Sequence, residues 1–256
     1  MIASTKSIIA ATLIGGTVMG VVCWRIIDRQ VPKITNGAIV CDNSGSMADV
    51  QDSCIGLADR ALKRPKLTNG SIVTVVGLGD GQTGNEPRFV AKYEVPYSRR
   101  ALEGKGAISR QKALVLADLQ GRLERLPRTL RSPIFLAVKR GVEQLRGNRC
   151  AADSDCYLFV RTDGEETAEA AIKRALDGQG KLKGLPEPIS NEGITVVLCG
   201  LSETVESAST ETKGRPVHEA RRGDRIRDVW LSLFTEPNFV SFEPYCPKSQ
   251  AELREN

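Results

Sequence analysis

The sequence predicts a doubly wound α/β fold: a mainly parallel sheet with helices on both faces, preceded by one N-terminal apolar helix. Three observations predict it. Short unbroken apolar runs, the signature of strands covered on both faces, recur along the chain. Between them lie segments with apolar residues at helical spacing. At 256 residues and 27.8 kDa, the chain is sized for one such domain plus short extras.

The elements follow in order. Residues 8–22 carry no charge; Lys6 precedes them, and Cys23, Trp24 and Arg25 follow. With its flanks this stretch reaches the marginal length of a membrane span, roughly 20 residues. Trp24 stands where an interfacial aromatic would. A single-pass anchor over residues 1–29 is the expectation. A cleaved signal peptide, with Val18-Met19-Gly20 as its best and still poor cleavage site, and a buried core helix are the alternatives. A linker over 30–35 leads into a domain over 36–246, and 247–256 is a tail.

Residues 37–41 read as a buried strand that stops at Asp42. Val50, Cys54, Leu57, Ala58, Ala61 and Leu62 stripe a helix that Pro65 ends. Residues 71–78 form a second strand, and 89–95 an antiparallel neighbour for it. Leu116, Leu119, Leu123 and Leu126 mark a long helix, and Pro133, suited to a first helical turn, opens another that runs to about Gly147. Residues 157–160 and 194–199 are strands, with a helix over 167–176 between them. Residues 225–234 are a helix with Ile226, Val229, Trp230 and Leu233 inward, and 238–242 are the last strand. Ligands of such sheets bind at the carboxyl ends of the strands.

Composition narrows the function classes. Hydrophobic residues at 41% and charged residues at 26% exclude a wholly disordered chain and a multi-span membrane protein. Aromatics at 5% leave little for base stacking, and a net charge of +5 is too small to mark a nucleic-acid binder. No nucleic acid is expected as a partner. The charge is uneven, however. Residues 99–146 hold twelve basic residues against Glu103, Asp118, Glu124 and Glu143. This excess reads first as the solvated side of amphipathic helices, with a docking surface for acidic partners as the other reading.

Cys150 and Cys156 bracket a short polar loop, which resembles a loop-closing disulfide and hence an oxidising compartment. Cys41 and Cys199 sit in apolar runs and read as inert core thiols. With no C-x-x-C pair and His218 as the only histidine, a zinc site is not expected. The charges around the apolar segment lean toward a cytoplasmic domain, since Arg25, Arg29 and Lys33 follow it. The Cys150/Cys156 pair points the other way, to an extracytoplasmic domain on a single-pass membrane protein.

Three polar clusters fall at one edge of the expected sheet. The first strand ends in Asp42-Asn43-Ser44-Gly45-Ser46; the strand at Tyr157 ends in Thr162-Asp163-Gly164-Glu165; Arg131-Ser132 precedes the Pro133 helix. Short oxygen donors of this kind suit Mg²⁺, with Mn²⁺ or Ca²⁺ as alternatives. Gly45 permits a tight turn that aims both serine hydroxyls at one point beyond Asp42.

On these residues the chain resembles the von Willebrand factor A (vWA) domain family over roughly residues 36–244. Asp42, Ser44 and Ser46 match the D-x-S-x-S element of its metal-ion-dependent adhesion site. Ser132, followed by Pro-Ile, looks like its threonine with serine substituted, and Asp163 matches its later aspartate. The resemblance implies a metal held by Asp42, Ser44, Ser46, Ser132 and Asp163. It also implies a protein partner that presents an Asp or Glu carboxylate to that metal, without turnover. An intracellular-type assembly factor using the same site is the alternative. Two departures stand out. Ser132 lacks the methyl that fixes a threonine rotamer. Arg131 sits close to the site, placed to attract an acidic partner or to pair with Glu165 or Glu166. Arg161 is a cation in a strand expected to be buried on both faces, and nothing in the sequence accounts for it.

Competing motifs are weaker. A metal-dependent hydrolase with Asp42 as nucleophile would want a second carboxylate two residues on, where Ser44 stands. Arg222-Gly223-Asp224 is a tripeptide that recurs by chance, read here as lying just before a helix that Asp224 caps. Gly77-x-Gly79-x-Gly81 lacks the helix and lysine of a phosphate loop.

Overall fold

The computed structural model describes residues 35–44, 50–62, 71–79, 86–94, 101–148, 150, 155–179, 182, 184–201, 216–243 and 246. Ser46, the apolar segment before Thr35 and the C-terminal tail lie outside them. Among the described residues no helix is long and apolar enough to cross a membrane.

Six strands form one sheet: β1 Thr35–Cys41, β2 Ile72–Gly77, β3 Arg88–Glu94, β4 Asp155–Arg161, β5 Ile194–Cys199 and β6 Val240–Glu243, in the order β3-β2-β1-β4-β5-β6. All neighbours pair in parallel except β2 with β3. Among the described residues five α-helices accompany them: α1 Val50–Leu62, α2 Ala101–Leu123, α3 Ile134–Gly147, α4 Ala170–Leu176 and α5 Pro216–Ser232. A 3-10 turn, Pro237–Phe239, leads into β6. The fold is the mainly parallel, doubly wound sheet that the apolar runs predict.

The reason lies in which residues have no exposed face. Every residue of β1 is buried, because β2 and β4 flank it and helices cover both sides. Alternation then divides the core. Ala38, Val40, Leu158, Val160, Val196 and Leu198 pack against α3, α4 and α5. Ile39, Cys41, Phe159, Val197 and Cys199 pack against α1 and α2. The antiparallel β3 closes one edge, and Arg88 and Phe89 at its start are exposed.

Three disulfides tie this frame: Cys41–Cys54, Cys150–Cys156 and Cys199–Cys246, with Cα–Cα distances of 5.9, 6.0 and 5.0 Å. The loop closure by Cys150 and Cys156 agrees with the sequence. The expectation for Cys41 and Cys199 is overturned: neither is a thiol. Each ends a strand on the α1/α2 face, and the fold brings up a partner from α1 or from the segment beyond β6. A second correction concerns α5. It begins at Pro216, in the first-turn position that proline favours, so Arg222-Gly223-Asp224 lies inside the helix and not before it.

Candidate metal centre

The strand order reverses direction between β1 and β4, and a doubly wound sheet has its binding crevice at that switch point, beyond the carboxyl ends of the strands. Asp42 follows β1 directly, and Thr162 and Asp163 follow β4. Cys41 and Arg161 are cross-strand partners, so the next residues leave the sheet side by side. The Asp42 amide continues the ladder by donating to the Arg161 carbonyl at 3.0 Å.

Alternation carries Asp42 past Val40 and Thr162 past Val160, onto the face covered by α3 and α5. There the Thr162 hydroxyl donates to Asp42 Oδ2 at 2.8 Å and accepts from the Gly164 amide at 2.9 Å. The Ser44 amide donates to Asp42 Oδ1 at 3.0 Å. Asp42 has no solvent exposure, and Ser44, Thr162 and Asp163 are buried as well. Burial, and then the nearby charge of Asp163, push the Asp42 carboxyl up to about 6; hydrogen bonds from Ser44 and Thr162 oppose the shift without cancelling it.

Ser132 reaches the same edge by a different route. α3 leads into β4 and runs back along the sheet against it, so the N-terminus of α3 lies at the carboxyl edge. The segment before it is clasped to the segment after Asp163. The Ser132 amide donates to Thr167 Oγ1 at 2.7 Å, and the Thr167 amide donates to the Ser132 carbonyl at 3.2 Å. Buried Glu166 completes the clasp. It accepts from the Phe135 amide in the first turn of α3 at 2.8 Å, and from the amides of Ala168 and Glu169 at 2.7 and 3.0 Å. Its carboxyl is raised by burial, against the pull of those three amides. A carboxylate at a helix N-terminus is favourable in itself.

The structure thus brings Asp42, Ser44 and Asp163 together and fastens the Ser132 segment to the Asp163 segment; Ser46 lies outside the described residues. Sequence reasoning missed Thr162, Glu166, Thr167 and Thr129. Thr129 lies in a parallel bridge with Ser44, and its amide donates to the Asn43 carbonyl at 3.0 Å. Its Oγ1 is buried and has no hydrogen-bond partner among the described residues. Thr162 and Glu166 had a signal in Thr-Asp-Gly-Glu-Glu, but only the aspartate was singled out there.

Two further residues find their places. Glu165 has a partner the sequence did not suggest: its carboxylate binds Arg222 of α5, with N–O distances of 2.6 and 2.9 Å. Arg161 is buried on the α1/α2 side of its strand, and a Cβ at Gly200, whose φ is +96°, would collide with its guanidinium. Glycine at 200 therefore makes room for the buried cation.

The donor chemistry fits a divalent cation. Two buried carboxylates with mutually unfavourable charge, two or more hydroxyls and an unpartnered buried hydroxyl are all hard oxygen donors, the kind that Mg²⁺ or Mn²⁺ prefers. No cluster of three or more His, Cys, Asp or Glu residues is found among the described residues, so hydroxyls would have to supply much of the ligation.

No protein-family model matches the chain, and neither does any curated protein. It is similar to the crystal structure of manganese-loaded Plasmodium vivax TRAP protein, at 12% identity and a TM-score of 0.41, over 84% of this chain and 70% of that one. It is also similar to the conserved hypothetical protein BatB from Bacteroides thetaiotaomicron, at 11% identity and a TM-score of 0.31, over 87% of this chain and 94% of that one. At these scores neither likeness carries weight for function; the geometry around Asp42 does.

Proposed function

We propose that this chain is a membrane-tethered, metal-dependent protein-binding module of the vWA type. Asp42, Ser44, Ser46, Ser132 and Asp163 would hold a divalent cation, Mg²⁺ first. Bound there, the ion would offer a Lewis-acid position to an Asp or Glu carboxylate of a protein partner. The observation that carries this reading is the buried Asp42 carboxylate at the switch point, destabilised by burial and by the charge of Asp163. A divalent cation is the partner that would relieve both effects at once.

Binding without turnover is favoured over nucleophilic chemistry by the residue two after Asp42. A metal-dependent hydrolase with Asp42 as nucleophile would want a second carboxylate there, and Ser44 occupies the position. Three disulfides support an extracytoplasmic domain, because such bonds persist in oxidising compartments. The tether in this reading is the apolar segment within residues 1–29.

Calorimetric titration of the full chain in mild detergent tests the proposal. Mg²⁺ and Mn²⁺ are expected to bind at a saturable site that disappears in Asp42→Ala. No binding by the wild type, or unchanged binding by the variant, would overturn it.

A further inference from the structure

A second surface lies beside this site. A cavity of about 320 Å³ opens between the start of β3 and the end of α2, lined by Arg88, Phe89, Val90, Arg122, Arg125 and Leu126. Arg88 pairs with Gly77, and Gly77 pairs with Cys41, so the cavity mouth and the residue before Asp42 are two strand spacings apart, about 10 Å. A second path joins them. The Leu126 side chain packs over Gly77, the Asn43 side-chain amide donates to the Pro127 carbonyl at 2.6 Å, and Thr129 bridges Ser44. From Leu126 to Thr129 the chain spans at most about 11 Å.

The surface between these points has a consistent chemistry. Arg122, Arg125, Arg128 and Arg131 recur at every third residue from the cavity wall to Ser132, and all four are exposed, as is Arg88. Among the described residues, acidic side chains near them are few. Asp118 is bound to Arg122 and Tyr93, Glu124 takes a bond from Gln120, and Glu86 precedes Arg88 in the chain. Apolar groups lie among the cations. Phe89 is 51% exposed, and Leu130, beside Arg131 and Ser132, is 97% exposed.

We infer that this face is a docking surface for an extended acidic segment of a protein partner, one carrying apolar side chains between its carboxylates. Guanidiniums prefer carboxylates in planar, forked contacts, and Arg with aromatic anchors is the composition of interface hot spots. The cavity admits one or two side chains and is too small for a nucleic-acid duplex. The partner is the one in the function proposed above and rests on that reading only for its final carboxylate, at Asp42 and Asp163. The arginine face binds without metal. Its positive field also speeds encounter with an acidic partner and makes binding salt-dependent.

Fluorescence anisotropy of the full chain with a short labelled peptide of glutamate and leucine, in EDTA and in Mg²⁺, tests this. In EDTA at low salt the wild type and Asp42→Ala are expected to bind equally, and affinity is expected to fall steeply with added salt. Arg88→Glu combined with Arg125→Glu should weaken binding by about tenfold or more, the scale of a lost charge-assisted contact. If the double variant does not fold, Arg88→Gln on the exposed edge strand should show the same loss at smaller scale. Absence of binding in EDTA, or arginine variants that bind like wild type, would overturn the inference. So would tighter binding of a single-stranded oligonucleotide or of phosphatidylserine vesicles than of the peptide. A gain on adding Mg²⁺ that Asp42→Ala lacks reports separately on the metal site, so the two proposals fail independently.

Discussion

Thr162 and Asp42, 120 positions apart, share a buried hydrogen bond of 2.8 Å, and through it the ends of β4 and β1 hold one carboxylate in place. The same Thr162 hydroxyl accepts from the Gly164 amide, so one small side chain sets both the Asp42 rotamer and the turn that carries Asp163. Thr162→Val keeps the shape and removes the hydroxyl. It is expected to destabilise the fold by about 1–3 kcal/mol, the cost of a buried polar group left unpaired. Urea unfolding of wild type and variant measures the difference, and an unchanged midpoint would show that the bond contributes nothing.

The Asp42 carboxyl, ordinarily at 3.8, stands at about 6 in the fold, chiefly through burial and then through Asp163. Between those values the folded chain holds a proton that the unfolded chain has released. Stability of the metal-free protein should therefore fall as pH rises from about 4 to 6, by up to about 3 kcal/mol. Buried Glu166, also raised, contributes in the same direction. The Asp42 share is the part of the slope that Asp42→Asn removes, read from unfolding midpoints across that pH range.

Gly164 adopts φ +81°, and a Cβ there would lie 2.7 Å from both Ile226 and Leu201. Its carbonyl accepts from the buried Trp230 indole at 3.1 Å. Gly164→Ala should cost at least about 1–3 kcal/mol in backbone strain alone. It should also shift the emission of Trp230, one of two tryptophans in the chain. Fluorescence-detected unfolding reads both effects, and a variant with native emission and midpoint would contradict this packing.

The disulfides differ in loop length. Cys199–Cys246 spans 47 positions and Cys41–Cys54 spans 13. On the chain-entropy account, losing the first should cost about 4 kcal/mol and losing the second about 3. Cys199→Ser with Cys246→Ser, compared with Cys41→Ser with Cys54→Ser, checks the order by thermal unfolding.

Much of this was readable in the chain, for physical reasons. The runs around Val40, Val75, Phe159 and Val197 are strands because no charged residue interrupts them, and an uncharged, largely apolar run means cover on both faces. Asp42, Ser44 and Asp163 stood out because polar residues that end buried strands fall at one edge of a parallel sheet. The pairing of Cys41 with Cys54, and of Cys199 with Cys246, was hidden because an apolar setting is equally natural for a buried thiol and a buried disulfide. Thr162 stands in the same polar run as Asp163 but was given no role, because the run does not reveal that its bond is to a residue 120 positions away. The start of α5 at Pro216 was missed because a charged stretch, Glu219 to Arg225, shows no inward stripe until Ile226.

The central claim is that Asp42 and Asp163 form a site strained by its own charge and suited to a divalent cation. The most direct measurement is the thermal midpoint of wild type, Asp42→Asn and Asp163→Asn at neutral pH, with and without Mn²⁺. Without metal, both variants are expected to be at least as stable as wild type, because each removes one of two repelling buried charges. With metal, only the wild type should gain, by about 2.7 kcal/mol at a free concentration one hundred times its dissociation constant. Variants that are less stable than wild type without metal, and that still gain on adding Mn²⁺, would contradict it.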